Sequence, residues 1–374
     1  MDVVHAAALV TGIALVALTL RSAVKTFVVP RGRHEVISGI VLEIVSLAFR
    51  PFIHYRAPGL SRFMSRSTAL SLFAPVSLLA FYAAWLILTW LGFALVFYGF
   101  GAEDATTALR LSGSSLFTLG FSEPPGGGTT AAVLAEAGIG LFLVALLIGY
   151  FPTIYGAYQR REVEVSLMQE RAGVAGSGVT LIERYQEMGD WSAVDALWSP
   201  YEEWFADIGE SHLAIEILPF YRSVSDDRSW VNTACVVLDA AALRVSTIDA
   251  PAPAGSRLVC RAGARSLWGI ATHLGLDAGP RPAASPDGDD PHHGPDTQPI
   301  TVTREQFDTA RATLAAAGVP IIADADAAWA TFRHFRALYD RPVTVLAAVT
   351  YSPPSPWIRK VKPPRVRFLA RAGR

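Results

Sequence analysis

The sequence predicts an all-α membrane protein, in which an apolar amino-terminal part joins an all-helical soluble domain. Three observations carry this. Of 374 residues, 51% are hydrophobic and only 17% charged, whereas a soluble domain carries about 25% charge. Long uncharged runs crowd the segment before Arg160. Beyond it, apolar residues recur at helical spacing, with no alternation of strands and helices. The net charge of −1 argues against nucleic acid as the main partner, because a basic footprint would dominate such a chain. Cys235 and Cys260 build neither a disulfide framework nor a zinc site.

A helix needs about 20 mostly apolar residues to cross a hydrocarbon layer of about 30 Å. Residues 1–30 hold the first such run, starting at Val3, and basic residues follow it rather than precede it, unlike a cleaved signal. Residues 31–66 carry Arg31, Arg33, Arg50, Arg56, Arg62 and Arg66 against Glu35 and Glu43. Within them, Ile37, Ile40, Val41, Ile44, Val45, Ala48 and Phe52 share helical spacing. Glu43 and Arg50 leave too short an uncharged run to span, so residues 36–52 are expected to lie in the interface as an amphipathic helix. The alternative is a fourth span that buries Glu43.

Residues 67–102 and 137–159 contain no charge and supply the remaining spans. The first is too long for one crossing, so its start, up to Pro75, is expected at the interface. Trp85, Trp90 and Tyr98 add rings suited to the headgroup level. The loop between these spans holds Glu103, Asp104 and Glu123 against Arg110, while Arg160 and Arg161 follow the last span. The positive-inside rule then gives three crossings, an external amino terminus and a cytoplasmic carboxyl half, in a plasma membrane such as the bacterial inner membrane.

That loop reads as chemistry. Asp104 caps a short helix over 105–117. Thr118, Leu119, Gly120, Phe121, Ser122 and Glu123 follow, then a Pro-Gly-rich stretch over 124–128. Irregular backbone at membrane depth is tolerated only where it is buried or lines a water-filled path.

Span, short helix, Thr118-Leu119-Gly120-Phe121, span: over residues 67–159 the order resembles the pore module of the tetrameric pore-loop potassium channel family, whose filter reads Thr-Val-Gly-Tyr-Gly. The resemblance implies a two-span plus pore-loop channel module, preceded here by an additional N-terminal transmembrane helix and followed by an all-helical cytoplasmic domain. It implies a homotetramer, because one motif per chain cannot close a ring. It also implies K+ as the permeating ion, with no organic cofactor. Carbonyls of residues 118–121 would replace the ion's water, and Thr118 would add its hydroxyl. Gly120 would take a positive φ. Ser122 stands at the family's second glycine, where a left-handed backbone costs a side-chain-bearing residue about 1–2 kcal/mol, so the outermost ion position is expected to be distorted. Glu123 replaces an aspartate and would concentrate cations at the mouth. The rival expectation is a membrane-anchored interaction or signalling protein whose pore-like hairpin does not conduct.

Gly149, Phe151, Pro152 and Tyr155 provide gating material in the last span, since proline favours a kink. A constriction would be built from Phe151, Ile154 or Tyr155. The alternative is that Gly138, Gly140 and Gly149 serve close helix packing.

Residues 160–178 form a connector whose Gly173-Val-Ala-Gly-Ser-Gly178 runs in the wrong order for a dinucleotide turn. Amphipathic helices are expected over 179–188, 191–207, 230–245, 258–274, 304–317 and 326–339, giving a helical domain over 179–279 that continues over 300–356. Residues 280–299, rich in Pro, Asp, Gly and His, read as a disordered linker. In the tail, 357–374, Arg359, Lys360, Lys362, Arg365 and Arg367 mix with Trp357 and Phe368. Such a segment lies on anionic inner-leaflet lipid, each charge contributing about 1 kcal/mol, or is simply disordered. No Ser/His/Asp or Cys/His arrangement stands out, and no enzyme is expected. The sequence names no cytoplasmic ligand.

Overall fold

A computed structural model describes residues 2–27, 36–54, 64–124, 126–280, 299–364 and 366. The chain divides into two compact units, Met1–Gly156 and Ala157–Val366. Among the described residues every regular element is helical, and a single isolated bridge pairs Ile248 with Ile321.

In the first unit, four helices are long and apolar enough to cross a membrane: α1 (Val3–Phe27), α2 (Val36–His54), α3 (Arg66–Gly99) and α5 (Gly127–Ala172). Between α3 and α5 stands the short α4 (Ala105–Leu116). Small residues let α1 and α3 touch, as they do in membranes. A Cβ on Gly12 would stand 2.6 Å from the Gly92 carbonyl oxygen. Val16 packs with Phe93 and Phe97, and Trp85 Nε1 donates to Ser22 Oγ at 3.4 Å.

The expected interfacial helix meets the length and hydropathy of a span, which the sequence reading had not granted it. Its exposed face, Val36, Ile40, Ile44 and Leu47, is wholly apolar, while Ser38 is buried with its hydroxyl 2.8 Å from that of Thr26. Its position along α3 differs from that of α1. Phe27 and Ser22 of α1 reach Trp85, and His5 stacks on Tyr98. Phe49 of α2 instead meets Phe73. With 34 residues, α3 is about 51 Å long, well beyond the hydrocarbon layer. Thus α1 covers its second half and α2 its first.

The second unit takes in the end of α5 and then α6 (Gly178–Glu187), a 3-10 turn (Trp191–Leu197), α7 (Trp198–Ala214), α8 (Trp230–Ser246), α9 (Ala254–His273), α10 (Arg304–Ala316), α11 (Ala325–Ala337) and α12 (Asp340–Val349). Almost every residue of α8 is buried, as suits a central helix without a polar face. Trp198, Phe205, Leu267, Phe307, Phe332 and Leu346 join it in one core. At its heart Arg336 ties three segments together. It bonds Asp239 of α8, Asp340 Oδ1 at 2.8 Å and the Trp357 carbonyl oxygen at 2.6 Å. Burial pushes the Asp239 carboxyl up from its ordinary value, against the opposing pull of Arg336. His212, enclosed beside Arg161, is held well below its ordinary value by burial first and by that cation second, and is a core residue.

The first part of the connector continues α5 to Ala172, and Val165, Met168 and Ala172 enter the core. Three expectations change. The helix expected over 191–207 begins as the 3-10 turn and continues to Ala214. Trp357 does not face lipid: it is buried against Phe332, ring centroids 5.5 Å apart. Ile154 is 2% exposed and faces inward rather than into a constriction. Arg359, Lys360 and Lys362 are exposed, whereas Arg365, Arg367, Phe368 and linker residues 281–298 lie outside the described residues.

Candidate pore site

The site is built on α4. Its N-cap is Asp104, whose carboxylate accepts the Thr107 amide at 2.6 Å. That amide bond is the first cause, and the Thr107 side chain the second, of an Asp104 carboxyl held below its ordinary range. The cap therefore persists above that range and is lost as pH falls through the lowered value. Acidification, like Asp104→Ala, is expected to lower the protection of the Thr106 and Thr107 amides relative to their intrinsic exchange rates, with protection farther along α4 little changed.

One face of α4, Ala108 and Leu111, packs with Phe93 and Phe97 of α3. Trp90 grips it twice: its indole N–H donates to the Leu109 carbonyl at 3.0 Å, and its own carbonyl lies 2.8 Å from Ser112 Oγ. On the other side α5 comes close, and a Cβ on Gly140 would stand 2.3 Å from the Leu116 carbonyl oxygen. Glu136 of α5, fully buried, lies 2.5 Å from Ser112 Oγ.

The turn after α4 has an unusual backbone. Thr118 has φ 54° and Gly120 φ 70°, while Leu119, Phe121 and Ser122 stay out of the left-handed region. A positive φ was expected at Gly120; at a β-branched threonine it is a conformational outlier. Alternating hands turn successive N–H groups to one side. Here they converge on the end of α4. The Thr118 amide donates to the Ser115 carbonyl at 3.0 Å, and those of Leu119 and Gly120 to the Ser114 carbonyl at 2.8 and 3.4 Å. The Ser122 amide donates to Ser114 Oγ at 3.2 Å. Among the described residues, the carbonyl oxygens of residues 118–121 accept no hydrogen bond. Phe117, Leu119 and Phe121 are 56%, 64% and 58% exposed, so a single chain leaves this apolar turn uncovered.

The structure therefore brings Thr118, Leu119, Gly120, Phe121 and Ser122 together in one turn, with Glu123 exposed just beyond. Gly149, Phe151, Pro152 and Tyr155 are all exposed on α5, which continues through Pro152 as one helix. Ser112, Ser114 and Glu136 were missed by sequence reasoning; a serine run closing a short helix was the signal available. Among the described residues no cluster of three or more His, Cys, Asp or Glu is placed to hold a metal ion. No protein-family model, curated protein or solved structure matches the chain.

Proposed function

We propose that four copies of the chain assemble around a cation pore of the potassium-channel type. K+ would pass by exchanging its water for rings of carbonyl oxygens from residues 118–121. The observation that carries this reading is the backbone of the turn. A left-handed threonine costs about 1–3 kcal/mol and such strain clusters at functional sites. Here it accompanies amides committed to Ser114 and Ser115 and carbonyls left without a partner. Unpaired carbonyls in a membrane are tolerated where an ion path replaces the missing partner. The exposed Phe117, Leu119 and Phe121 would be covered by neighbouring copies, and the α4 carboxyl end would direct negative charge at the cation.

Three crossings fit this assembly. The pairing of α2 with the first half of α3 leaves α1, the second half of α3 and α5 to span. The basic residues from Arg31 to Arg66 then share the cytoplasmic side with Arg160 and Arg161. The last span would gate the path at Gly149, Phe151, Pro152 and Tyr155, with the cytoplasmic helical domain acting on it. The exposed Arg359, Lys360 and Lys362 would meet anionic inner-leaflet lipid.

The test is flux from the purified full-length chain in liposomes under a potassium gradient, with the mass of the detergent-solubilised particle. A tetramer that conducts is expected. A monomer or dimer, or a silent tetramer over a range of pH and voltage, would favour a membrane-anchored interaction protein instead. A second expectation concerns selectivity. Ser122 interrupts the alternation that Thr118 and Gly120 begin, and Ser122→Gly lifts the steric bar to a third left-handed position. Its potassium-to-sodium permeability ratio should rise; an unchanged ratio removes Ser122 as the weak point.

A further inference from the structure

Glu136 has a use beyond packing. It and Ser112 have no exposed surface. A serine hydroxyl brings one hydrogen, yet Ser112 Oγ lies within reach of two oxygens, the Trp90 carbonyl at 2.8 Å and Glu136 Oε1 at 2.5 Å. Both contacts close only when the carboxyl brings a hydrogen of its own, so that Glu136 donates to Ser112 and Ser112 donates to Trp90. Glu136 Oε2 has no hydrogen-bond partner. An acid enclosed in a span is costly and marks function more often than support.

One turn on, the register repeats: Gly140 of α5 presses on Leu116 of α4. Residues 136 and 140 thus run alongside 112 and 116. Between Ser112 and Leu116 sit Ser114 and Ser115, whose oxygens receive the amides of Thr118, Leu119, Gly120 and Ser122. A slip of α4 against α5 would move all four amides, and with them the carbonyls of the same turn.

We propose that Glu136 is a positioning residue for the filter: its carboxyl, bonded to Ser112, fixes the register of α4 on α5 and so aims the backbone of residues 118–122. This rests on the pore reading. Outer partners that orient ion ligands typically matter by tenfold or more.

The test uses the full-length chain in liposomes and compares Glu136→Gln, which keeps a hydrogen to donate, with Glu136→Leu, which keeps bulk and loses it. Flux, the potassium-to-sodium ratio and amide exchange at residues 118–122 are read together. Glu136→Gln should stay within about twofold of wild type, while Glu136→Leu should lose about tenfold in flux, alter the ratio and exchange those amides about tenfold faster. Ser112→Ala should act in the same direction, and the double variant Glu136→Leu/Ser112→Ala no more strongly than either single change, because the two act through one bond. If Glu136→Leu does not assemble, Ser112→Ala decides: wild-type exchange and ratio in it overturn the proposal. So does a Glu136→Gln that behaves like Glu136→Leu. A silent wild type sinks the pore reading instead, and the exchange of residues 118–122, with rescue by Gln, still decides the role of Glu136.

Discussion

Gly120→Ala is expected to reduce ion flux to background while leaving the chain folded and its oligomeric state unchanged. The residue has φ 70°, and a Cβ added there meets nothing within 4 Å in its own chain. No clash within the fold is therefore introduced. What changes is the backbone: an alanine gives up about 1–2 kcal/mol in that region, in every copy of the proposed assembly, and flattens toward an ordinary conformation. The Gly120 amide then leaves Ser114 and, in the proposed pore, its carbonyl would turn from the axis. Gly101 supplies the control. It has φ 97° and equally open surroundings, but sits in the turn between α3 and α4, away from residues 118–121. Gly101→Ala should carry the same backbone strain with unchanged flux. Helical content, particle mass and liposome flux, measured on both variants, separate strain from position. Normal currents in Gly120→Ala would remove the glycine from the ion path.

How much of this was legible in the sequence depends on whether a feature is local. Uncharged runs and the Asp104 cap announce α1, α3, α4 and α5, because length, apolarity and one carboxylate at a helix start are read without knowing the neighbours. Gly120 at positive φ was legible for the same reason. Left-handed Thr118 was not, since a β-branched residue disfavours that region, and the amides that accompany it there are committed to Ser115 and Ser114. Glu136, just outside the uncharged run 137–159, went unremarked, because its partner Ser112 is remote in sequence. The interfacial assignment of α2 rested on Glu43 and Arg50, which leave too short an uncharged run to span, yet the helix has the length and hydropathy of one. The structure keeps both half-buried and turns Val36, Ile40, Ile44 and Leu47 outward. In the second unit α12 went unrecognised, since Val343-Thr-Val-Leu-Ala-Ala-Val is rich in β-branched residues that favour strands and Pro342 suggests a break. The proline sits in the first turn, where no helical hydrogen bond is lost, and burial of nearly the whole helix overrides the propensity.

Arg336→Met should be the most destabilising single change in the second unit, by about 3–5 kcal/mol, because removing one partner of a buried ion pair leaves the other charge stranded. Asp239 and Asp340 are 2% and 4% exposed. Asp340 keeps the Thr301 amide at 3.1 Å and hydroxyl at 2.7 Å, while Asp239 keeps the Tyr339 hydroxyl at 2.8 Å and Cys235 Sγ at 3.2 Å. Neither set supplies a charge. The sign of the pH dependence follows. With the cation gone, burial raises the Asp239 carboxyl further above its unfolded value of about 3.9. An acid raised on folding favours the native state below its unfolded value, and that contribution is lost as pH climbs through the folded one. The deficit of Arg336→Met against wild type should therefore be small near pH 4 and grow toward neutrality. Urea unfolding followed by tryptophan fluorescence at the two pH values measures it. Adding Asp239→Leu should recover much of the loss at neutral pH, since an apolar replacement of a buried pair is often close to neutral in energy. A deficit that ignores both pH and the second substitution would place the cost of Arg336→Met in lost packing against Tyr339 and Trp357 rather than in a stranded charge.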